Sequence, residues 1–439
     1  MAILITVFGT LWAAAYMMMN DYQNRPPFNE EANIALHLVS GHGFLSPFDD
    51  SNNAPQSAWS PPVYPLIIAA SYHWFGIETP NALAFLMIIQ AVCYGLFLAG
   101  IYSIGEDLFT SGTPGLLAAI LLAFHPLYVY FVRDFWDSML SLTMFVVLLQ
   151  YSIRSGIKVE NTGRVSNSRI IMIGVGMGLL SLTNAVYILT YPVFMAIAFP
   201  RKNGLKRWLP AMKTFVVFCL VITPWTLRNV QTFGKLMYVR SVYSFILFTG
   251  NQPGTYGWLY DESSIRMQPI FNAVERDYIL SLGEVGYEEF CKKRFEKLYN
   301  DNPMKFWHSC LVRAGYVLLG NPKSPAEYPF ISDNSPGNYN WDQLILNAVF
   351  SLFGAVGILL SWKRGFRPKA VAALAFIAAI PLIPSGVIDR YTLVTRAILI
   401  LFASFSLWVI TNKIRHRRGM RKSISNHMYF FAKRGKAVL

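Results

Sequence analysis

Residues 81–104 read NALAFLMIIQAVCYGLFLAGIYSI, an apolar stretch without a charged residue. A helix needs about 20 such residues to cross the hydrocarbon core of a bilayer, where it satisfies its own backbone hydrogen bonds. Of the 439 residues in the chain, 54% are hydrophobic and 14% are charged, whereas ordinary soluble domains carry about 25% charged residues. The composition therefore predicts an all-α polytopic membrane protein.

Further apolar stretches bring the predicted number of transmembrane helices to about ten. These helices are expected at residues 2–19, 81–104, 114–131, 136–153, 169–186, 187–200, 208–227, 343–361, 369–386 and 391–411. Residues 62–75 are also apolar, but this stretch is too short to cross the membrane. It begins within the motif PPVYP, which favours a helix that lies at the membrane interface. The stretch 2–19 has no cleavage-site pattern, so we expect it to be a retained span.

Basic residues concentrate in four segments that hold 21 of the 38 Lys and Arg residues and one acid, Glu160. The segments are 154–169, 201–207, 362–369 and 412–439. Short basic loops stay on the cytoplasmic side of a membrane during insertion. We therefore expect both termini in the cytoplasm and the loop 21–80 on the outer side of the cytoplasmic membrane. The net charge of +14 then reflects topology, and no nucleic-acid partner is expected.

This topology divides the chain into three regions. Residues 1–227 form an N-terminal transmembrane module, residues 228–342 form an outward region with amphipathic helices, and residues 343–439 form the last spans and a basic cytoplasmic tail. The four cysteines and seven histidines show no metal-ligand spacing, so no metal site is predicted. If the outward region is external, Cys291 and Cys310 could form a disulfide, although we expect two free thiols.

The first outward loop places two acids, Glu30 and Glu31, at the start of a short predicted helix that extends to Ser40. Acids at a helix N-terminus can simply complement the helix dipole. Either carboxylate could instead be a general base that accepts the proton of an acceptor hydroxyl. Asp21 lies nearer to the membrane and is a third candidate for this role.

This arrangement resembles the GT-C class of membrane glycosyltransferases that use polyprenyl-phosphate sugars, which includes protein O-mannosyltransferases and the aminoarabinose transferase of lipid A. NEEANIALHLVSGHGFLSPF (29–48) and SAWSPPVYPLIIA (57–69) are similar to the bacterial pattern of an acid, a short helix, Gly-x-Gly-Phe and an aromatic residue before PPxYP. Other stretches match in kind along almost the whole chain. They are FWDSMLS (135–141), ITPWTLRN (222–229), YVRS (238–241), GNQPG (250–254), GEVGYEEF (283–290) and DRYTL (389–393).

The resemblance implies an inverting transfer of a sugar from a polyprenyl monophosphate to the hydroxyl of a glycan, lipid or protein on the outer face of the membrane. It implies that an acid of the first outward loop activates the acceptor. The spacing to Gly-x-Gly-Phe favours Glu30, but the family's Asp-Glu pair reads Glu30-Glu31 here, so Glu30, Glu31 and Asp21 all remain candidates. Asp137 matches an acid that binds the acceptor or orients a basic partner. No nucleotide cofactor or metal is implied, because the lipid-linked sugar is a co-substrate.

A lipid-phosphate donor needs cations at the outer interface, because the departing phosphate carries negative charge. The cations near the predicted outer ends of the spans are Arg228, Lys235, Arg240 and Arg390. Charges at such positions are often interfacial anchors instead. Arg390 and Arg228 are the first candidates for the phosphate, and Arg396, deeper in the last span, is expected to face a polar cavity or Asp389.

Three further residues are candidates for contacts with the acceptor or the sugar: Trp59, Tyr64 and Asn251. Trp and Tyr accumulate at membrane interfaces regardless of function, although Trp59 could also stack on a sugar.

Two other functions are kept as alternatives. A transporter or flippase for lipid-linked glycans would have charged residues at mid-membrane and broken helices, and a non-catalytic subunit of a polysaccharide assembly complex would tolerate loss of both glutamates.

Overall fold

The structure is a computed structural model that describes residues 1–20, 26–27, 29–133, 135–200, 208–255, 257, 262–320 and 341–435. Within these residues the secondary structure is helical, apart from one antiparallel bridge between Leu45 and Gln56. The prediction of an all-α protein is confirmed.

The N-terminal half of the chain contains helices α1 to α10. They are α1 (Ala2–Met19), α2 (Glu30–Val39), α3 (Val63–Phe75), α4 (Pro80–Phe109), α5 (Gly112–Ala123), α6 (Pro126–Arg133), α7 (Ser138–Thr162), α8 (Asn167–Thr183), α9 (Tyr191–Ala198) and α10 (Trp208–Phe233). A 3-10 helix, Ala185–Thr190, precedes α9. Helix α4 shows how the local sequence sets these boundaries, because the Thr79 side chain accepts a hydrogen bond from Ala82 N and Pro80 occupies the first turn.

The C-terminal half contains helices α11 to α18. They are α11 (Tyr243–Gly250), α12 (Glu262–Ile265), α13 (Ala273–Asp301), α14 (Pro303–Leu319), α15 (Trp341–Ser361), α16 (Phe366–Ala379), α17 (Leu382–Ser385) and α18 (Asp389–Gly435). A short 3-10 helix, Trp362–Arg364, follows α15. Helix α13 is kinked at Gly283, whose φ of 67° is a left-handed conformation that glycine adopts without strain.

Among the described residues, seven helical stretches are long and apolar enough to cross a membrane. They are Ala2–Met19, Pro80–Phe109, Ser138–Thr162, Trp208–Phe233, Leu344–Arg364, Phe366–Ser385 and Asp389–Arg415. Helices α5 and α6 form an eighth candidate if they count as one span, although they meet at a bend of 60°. The spans predicted at 169–186 and 187–200 correspond to shorter apolar helices, so the count of ten is not confirmed.

Small residues bring the membrane helices close together. Helix α1 packs on α4 at Gly95, where an added Cβ would lie 2.3 Å from Thr6 O, and α15 packs on α18 at Gly357, where it would lie 1.9 Å from Phe402 O. Such residues let helix backbones approach where apolar side chains alone give no preference between protein and lipid. The resulting frame fixes the first residues of α7 and α18, which carry site residues.

All four cysteines are free, and Cys291 and Cys310 are both buried. The expectation of two free thiols is confirmed, and the alternative of a disulfide between them is wrong for this structure.

Candidate active site

Residues from distant parts of the chain line one polar pocket where α2, α7 and α18 begin. Its lining consists of Glu30, Glu31, Trp59, Ser60, Pro61, Trp136, Asp137, Arg240, Arg390 and Tyr391, around a cavity of about 30 Å³. Six of these residues are candidates from the sequence: three acids, two arginines and Trp59. The fold therefore gathers carboxylates and guanidinium groups at one place.

Asn29 positions the acids of α2. Its Oδ1 accepts a hydrogen bond from Ala32 N at 2.9 Å and caps the helix, and its Nδ2 donates to Phe135 O at 3.0 Å. The second bond joins the start of α2 to the segment that leads to Asp137. Asn29 therefore has a positional role, because it brings Glu31 and Asp137 to the same pocket.

The two buried carboxylates differ in their partners. Asp137 Oδ2 accepts a hydrogen bond from Asn184 Nδ2 at 2.9 Å, whereas Glu31 Oε2 is buried without a hydrogen-bond partner. Burial raises the pKa of Glu31 well above its usual range, and the charge of Asp137 raises it further, while Arg390 and Arg240 oppose the shift. Burial also raises the pKa of Asp137. Glu31 is thus a carboxyl group with a raised proton affinity, a property typical of groups that act in acid–base chemistry.

Arg390 enters the pocket from the first turn of α18. Its guanidinium stacks on the ring of Trp136 with 3.8 Å to the ring centroid, and Nη2 donates to Tyr391 Oη at 3.2 Å. Trp136 is itself held by Gln90, whose Nε2 donates to the Trp136 carbonyl at 3.2 Å. Stacking on an aromatic face fixes the plane of a guanidinium.

Arg240 belongs to a segment that the Trp-Thr-x-Arg-Asn block holds in place. Trp225 Nε1 donates to Val239 O at 2.7 Å, Thr226 Oγ1 donates to Tyr238 O at 2.8 Å, and Asn229 Nδ2 donates to Met237 O at 3.2 Å. These bonds pin residues 237–239 against α10. Arg240 follows directly and lines the pocket, and its Nε atom is buried without a hydrogen-bond partner.

Arg228 lies outside the pocket, although the sequence makes it a first candidate for the phosphate. Its Nη1 donates to Ser57 O at 2.6 Å, and its Nη2 donates to Phe44 O at 3.1 Å and to Gln56 Oε1 at 2.6 Å. These contacts hold the loop between α2 and α3. Lys235 is exposed after α10 and is also absent from the lining of the pocket.

A buried glutamate, Glu284, joins three segments beside the pocket. It accepts hydrogen bonds from Ser57 Oγ, from Ala58 N at 2.9 Å and from Ser241 Oγ at 2.6 Å. Burial raises the pKa of this carboxyl, and the hydrogen bonds lower it. Glu284 thereby connects α13 to the residues next to Trp59 and Arg240, which gives the GEVGYEEF motif a positional role.

The remaining candidates occupy other surroundings. Trp59 lines the pocket, but most of its ring packs against Phe48 and Phe245, with centroid distances of 4.8 and 4.9 Å. Tyr64 is buried in α3 and its Oη accepts a hydrogen bond from Gln90. Asn251 donates to Leu247 O and Pro384 O. Neither Tyr64 nor Asn251 lines the pocket, and Asp21 lies outside the described residues.

An apolar cleft of about 310 Å³ shares the lining residues Arg240 and Tyr391 with the pocket. Its other lining residues are Ala185, Val186, Ile188, Leu189, Tyr238, Val239, Val242, Tyr243, Ile246, Pro381, Leu382, Ser385 and Gly386. Arg240 therefore places a cation at the apolar cleft as well as at the polar pocket.

Sequence reasoning missed Trp136 and Tyr391 as site residues. Both stand beside predicted ones, in FWDSMLS and DRYTL, and both contact Arg390. Their position next to candidate charged residues in the sequence is the signal that could have identified them.

Among the described residues, no group of three or more His, Cys, Asp or Glu side chains could hold a metal ion. Because Asp21 and Asp134 lie outside that part of the chain, the absence of a metal site stays a prediction.

Comparisons with known proteins give matches of family and of fold. Residues 60–227 match a family model described as dolichyl-phosphate-mannose-protein mannosyltransferase. One structural match is the oligosaccharyltransferase AglB from Archaeoglobus fulgidus, in complex with an inhibitory peptide and a dolichol-phosphate. Its TM-score is 0.53 and its sequence identity is 15%, and the match covers 96% of this chain and 52% of AglB. The apo form matches with a TM-score of 0.54 and the same identity and coverage.

ArnT from Cupriavidus metallidurans, bound to undecaprenyl phosphate, matches with a TM-score of 0.40 and 13% identity over 92% of this chain and 77% of that one. No curated protein sequence matches the chain. The chain spans about half the length of the oligosaccharyltransferase structures that it matches. The family match of residues 60–227 and the fold shared with the oligosaccharyltransferase confirm the resemblance to the GT-C class of membrane glycosyltransferases.

Proposed function

We propose that this protein transfers a sugar from a polyprenyl monophosphate to an acceptor hydroxyl on the outer face of the cytoplasmic membrane. The observation that carries the proposal is the polar pocket, with two buried carboxylates and two arginines, which shares the lining residues Arg240 and Tyr391 with the apolar cleft. A polyprenyl-phosphate sugar has the matching parts: a polar sugar, an anionic phosphate and an apolar chain.

In this proposal Arg240 and Arg390 bind the donor phosphate, and the polyprenyl chain lies in the apolar cleft. Arg390 is oriented by its stack on Trp136, and Arg240 lines both cavities. The dolichol-phosphate in the archaeal oligosaccharyltransferase complex and the donor in the family description are ligands of the same chemical kind. Arg228 is not proposed as a phosphate ligand, because its guanidinium already binds the loop between α2 and α3.

Glu31 is the proposed base. The acceptor oxygen attacks the anomeric carbon and forms the new glycosidic bond, while the bond from that carbon to the phosphate oxygen breaks. The hydroxyl proton passes to Glu31, and the electron pair of the broken bond stays on the lipid phosphate beside the two arginines. Direct attack inverts the anomeric centre. Asp137 keeps the pKa of Glu31 high and orients the arginines, and Glu30 lies at the half-exposed side of the pocket.

Sugar transfer by the purified full-length protein in detergent tests the proposal. A panel of polyprenyl-phosphate sugars would be offered to wild type, Glu31→Gln, Glu30→Gln and Glu289→Gln. Glu289 is a matched control, since it is an exposed glutamate on α13 that does not line the pocket. We expect transfer by wild type and the control, and loss of turnover with retained donor binding in Glu31→Gln.

A different pattern would refute the proposal. Wild type that binds the lipid donors but transfers none of the sugars, with the same binding in all variants, would favour a flippase or an assembly subunit. Loss of turnover in Glu30→Gln alone would retain the enzyme and move the base to Glu30.

A further inference from the structure

Arg313 on α14 is a fully buried arginine outside the polar pocket, with an exposed fraction of 0%. Its Nη1 donates to Ile383 O at 3.0 Å and to Pro384 O at 2.7 Å. Its Nη2 donates to Gly250 O at 2.6 Å and to Asn251 Oδ1 at 2.7 Å. A buried guanidinium is retained at a considerable desolvation cost, so these four bonds indicate a structural task that a smaller side chain cannot perform.

The acceptors of Arg313 belong to two helices that line the apolar cleft. Gly250 is the last residue of α11, which contributes Tyr243 and Ile246 to the cleft. Ile383 and Pro384 lie within α17, which contributes Leu382 and Ser385. The carbonyl groups at a helix C-terminus lack intrahelical partners and carry partial negative charge, so a buried cation stabilises both ends together.

The two helices are in backbone contact beside Arg313. A Cβ added at Gly250 would lie 1.7 Å from Ser385 O, so the glycine is what permits this approach. Helix α14 is also tied to the helix that carries Arg390, because Arg396 Nη2 donates to Tyr316 O at 3.3 Å and to Asp389 Oδ1 at 2.8 Å. Helix α14 therefore contacts both the walls of the cleft and the start of α18.

We propose that Arg313 is a positioning residue for the lipid donor, because it holds α11 and α17 at the separation that the polyprenyl chain requires. This inference rests on the proposed function, which places that chain in the apolar cleft. A phosphate with a short chain contacts the cleft only near Arg240 and Tyr391, whereas a long chain contacts the walls that Arg313 joins. Loss of Arg313 consequently weakens the binding of long chains more than the binding of short ones.

The test compares two probes, undecaprenyl phosphate and geranyl phosphate, by native mass spectrometry on the full-length protein. The variants are Arg313→Met, Arg313→Lys and Arg276→Lys. Lysine retains the charge but lacks the planar fork that bridges several acceptors. Arg276 is a matched control, because it also donates to backbone carbonyls, those of Pro269 and Ile270, and lines neither cavity.

We expect Arg313→Met to weaken undecaprenyl phosphate binding about tenfold, the scale of one lost charged contact, with a much smaller change for geranyl phosphate. Arg313→Lys should fall between Arg313→Met and wild type, and Arg276→Lys should match wild type. Equal weakening of both probes, or no change for either, in variants that elute as folded protein would overturn the role of Arg313. Wild type that binds neither probe would instead refute the proposed donor, and the two failures are thus distinguishable.

Discussion

Replacing Glu31 with glutamine tests the proposed chemistry most directly. The substitution keeps the size of the side chain and removes its capacity to accept a proton. A positioned general base contributes about 10² to 10⁴-fold in rate, which is about 3 to 5 kcal/mol of transition-state stabilisation at about 1.4 kcal/mol per tenfold. We expect kcat to fall by that factor while the affinity for the lipid donor changes little, because the phosphate contacts come from Arg240 and Arg390.

The pH dependence of kcat gives an independent measure of the same group. The base acts in its ionised form, so activity is present above the pKa of Glu31 and is lost as the pH falls through it. Because burial and the charge of Asp137 raise this pKa well above the usual range for glutamate, the acidic limb of the profile should lie well above that range. Single-turnover transfer measured across pH, with donor saturating, would locate the limb.

Asp137→Asn should move that limb in a known direction. The charge of Asp137 is the second-largest cause of the raised pKa of Glu31, so its removal lowers this pKa and shifts the acidic limb to lower pH. An acidic limb that stays in place, or moves to higher pH, would refute the assignment of Glu31 as the base. A fall in rate alone would not decide the question, because Asp137 also accepts a hydrogen bond from Asn184.

Further predictions concern the groups around the acids. Arg390→Lys retains the charge but loses the planar stack on Trp136, so we expect about tenfold weaker binding of undecaprenyl phosphate in a folded protein, measured by native mass spectrometry. Asn29→Ala removes a helix cap and the bond to Phe135 O, so thermal unfolding should show a loss of about 1 kcal/mol together with a lower kcat. Asn272→Ala removes a similar cap from α13 and should reduce stability without lowering kcat.

Much of the fold was predictable because the bilayer imposes simple rules on the sequence. Apolar length predicts a helix, and the short stretch at 62–75 appears as α3, with 13 residues. The number of spans was harder to predict, because hydropathy does not show where a helix breaks. Helix α6 begins at Pro126, and His125 accepts a hydrogen bond from Leu127 N at the bend between α5 and α6. A proline inside an apolar stretch is the signal that could have located this break.

The candidate site was predictable where charges stand next to the ends of spans. Glu31, Asp137 and Arg390 each lie at or within one turn of a helix start. The predicted membrane topology therefore places all three on the same side of the membrane. Arg228 follows the predicted end of a span at residue 227, yet its guanidinium is directed to the carbonyls of Ser57 and Phe44. Whether a charge faces a cavity or a loop depends on backbone acceptors far away in the sequence, and spacing does not encode them.

The pairing of two buried carboxylates with two arginines also follows from the charge changes that the proposed reaction requires. Transfer leaves one additional negative charge on the lipid phosphate and moves one proton to a carboxylate, so the net charge of the pocket stays constant. In a site with little water, an uncompensated charge would be costly. The same burial that raises the pKa of Glu31 lets it keep the proton while the phosphate charge is present. Glu31 is thereby suited to balance the charge that Arg240 and Arg390 bind.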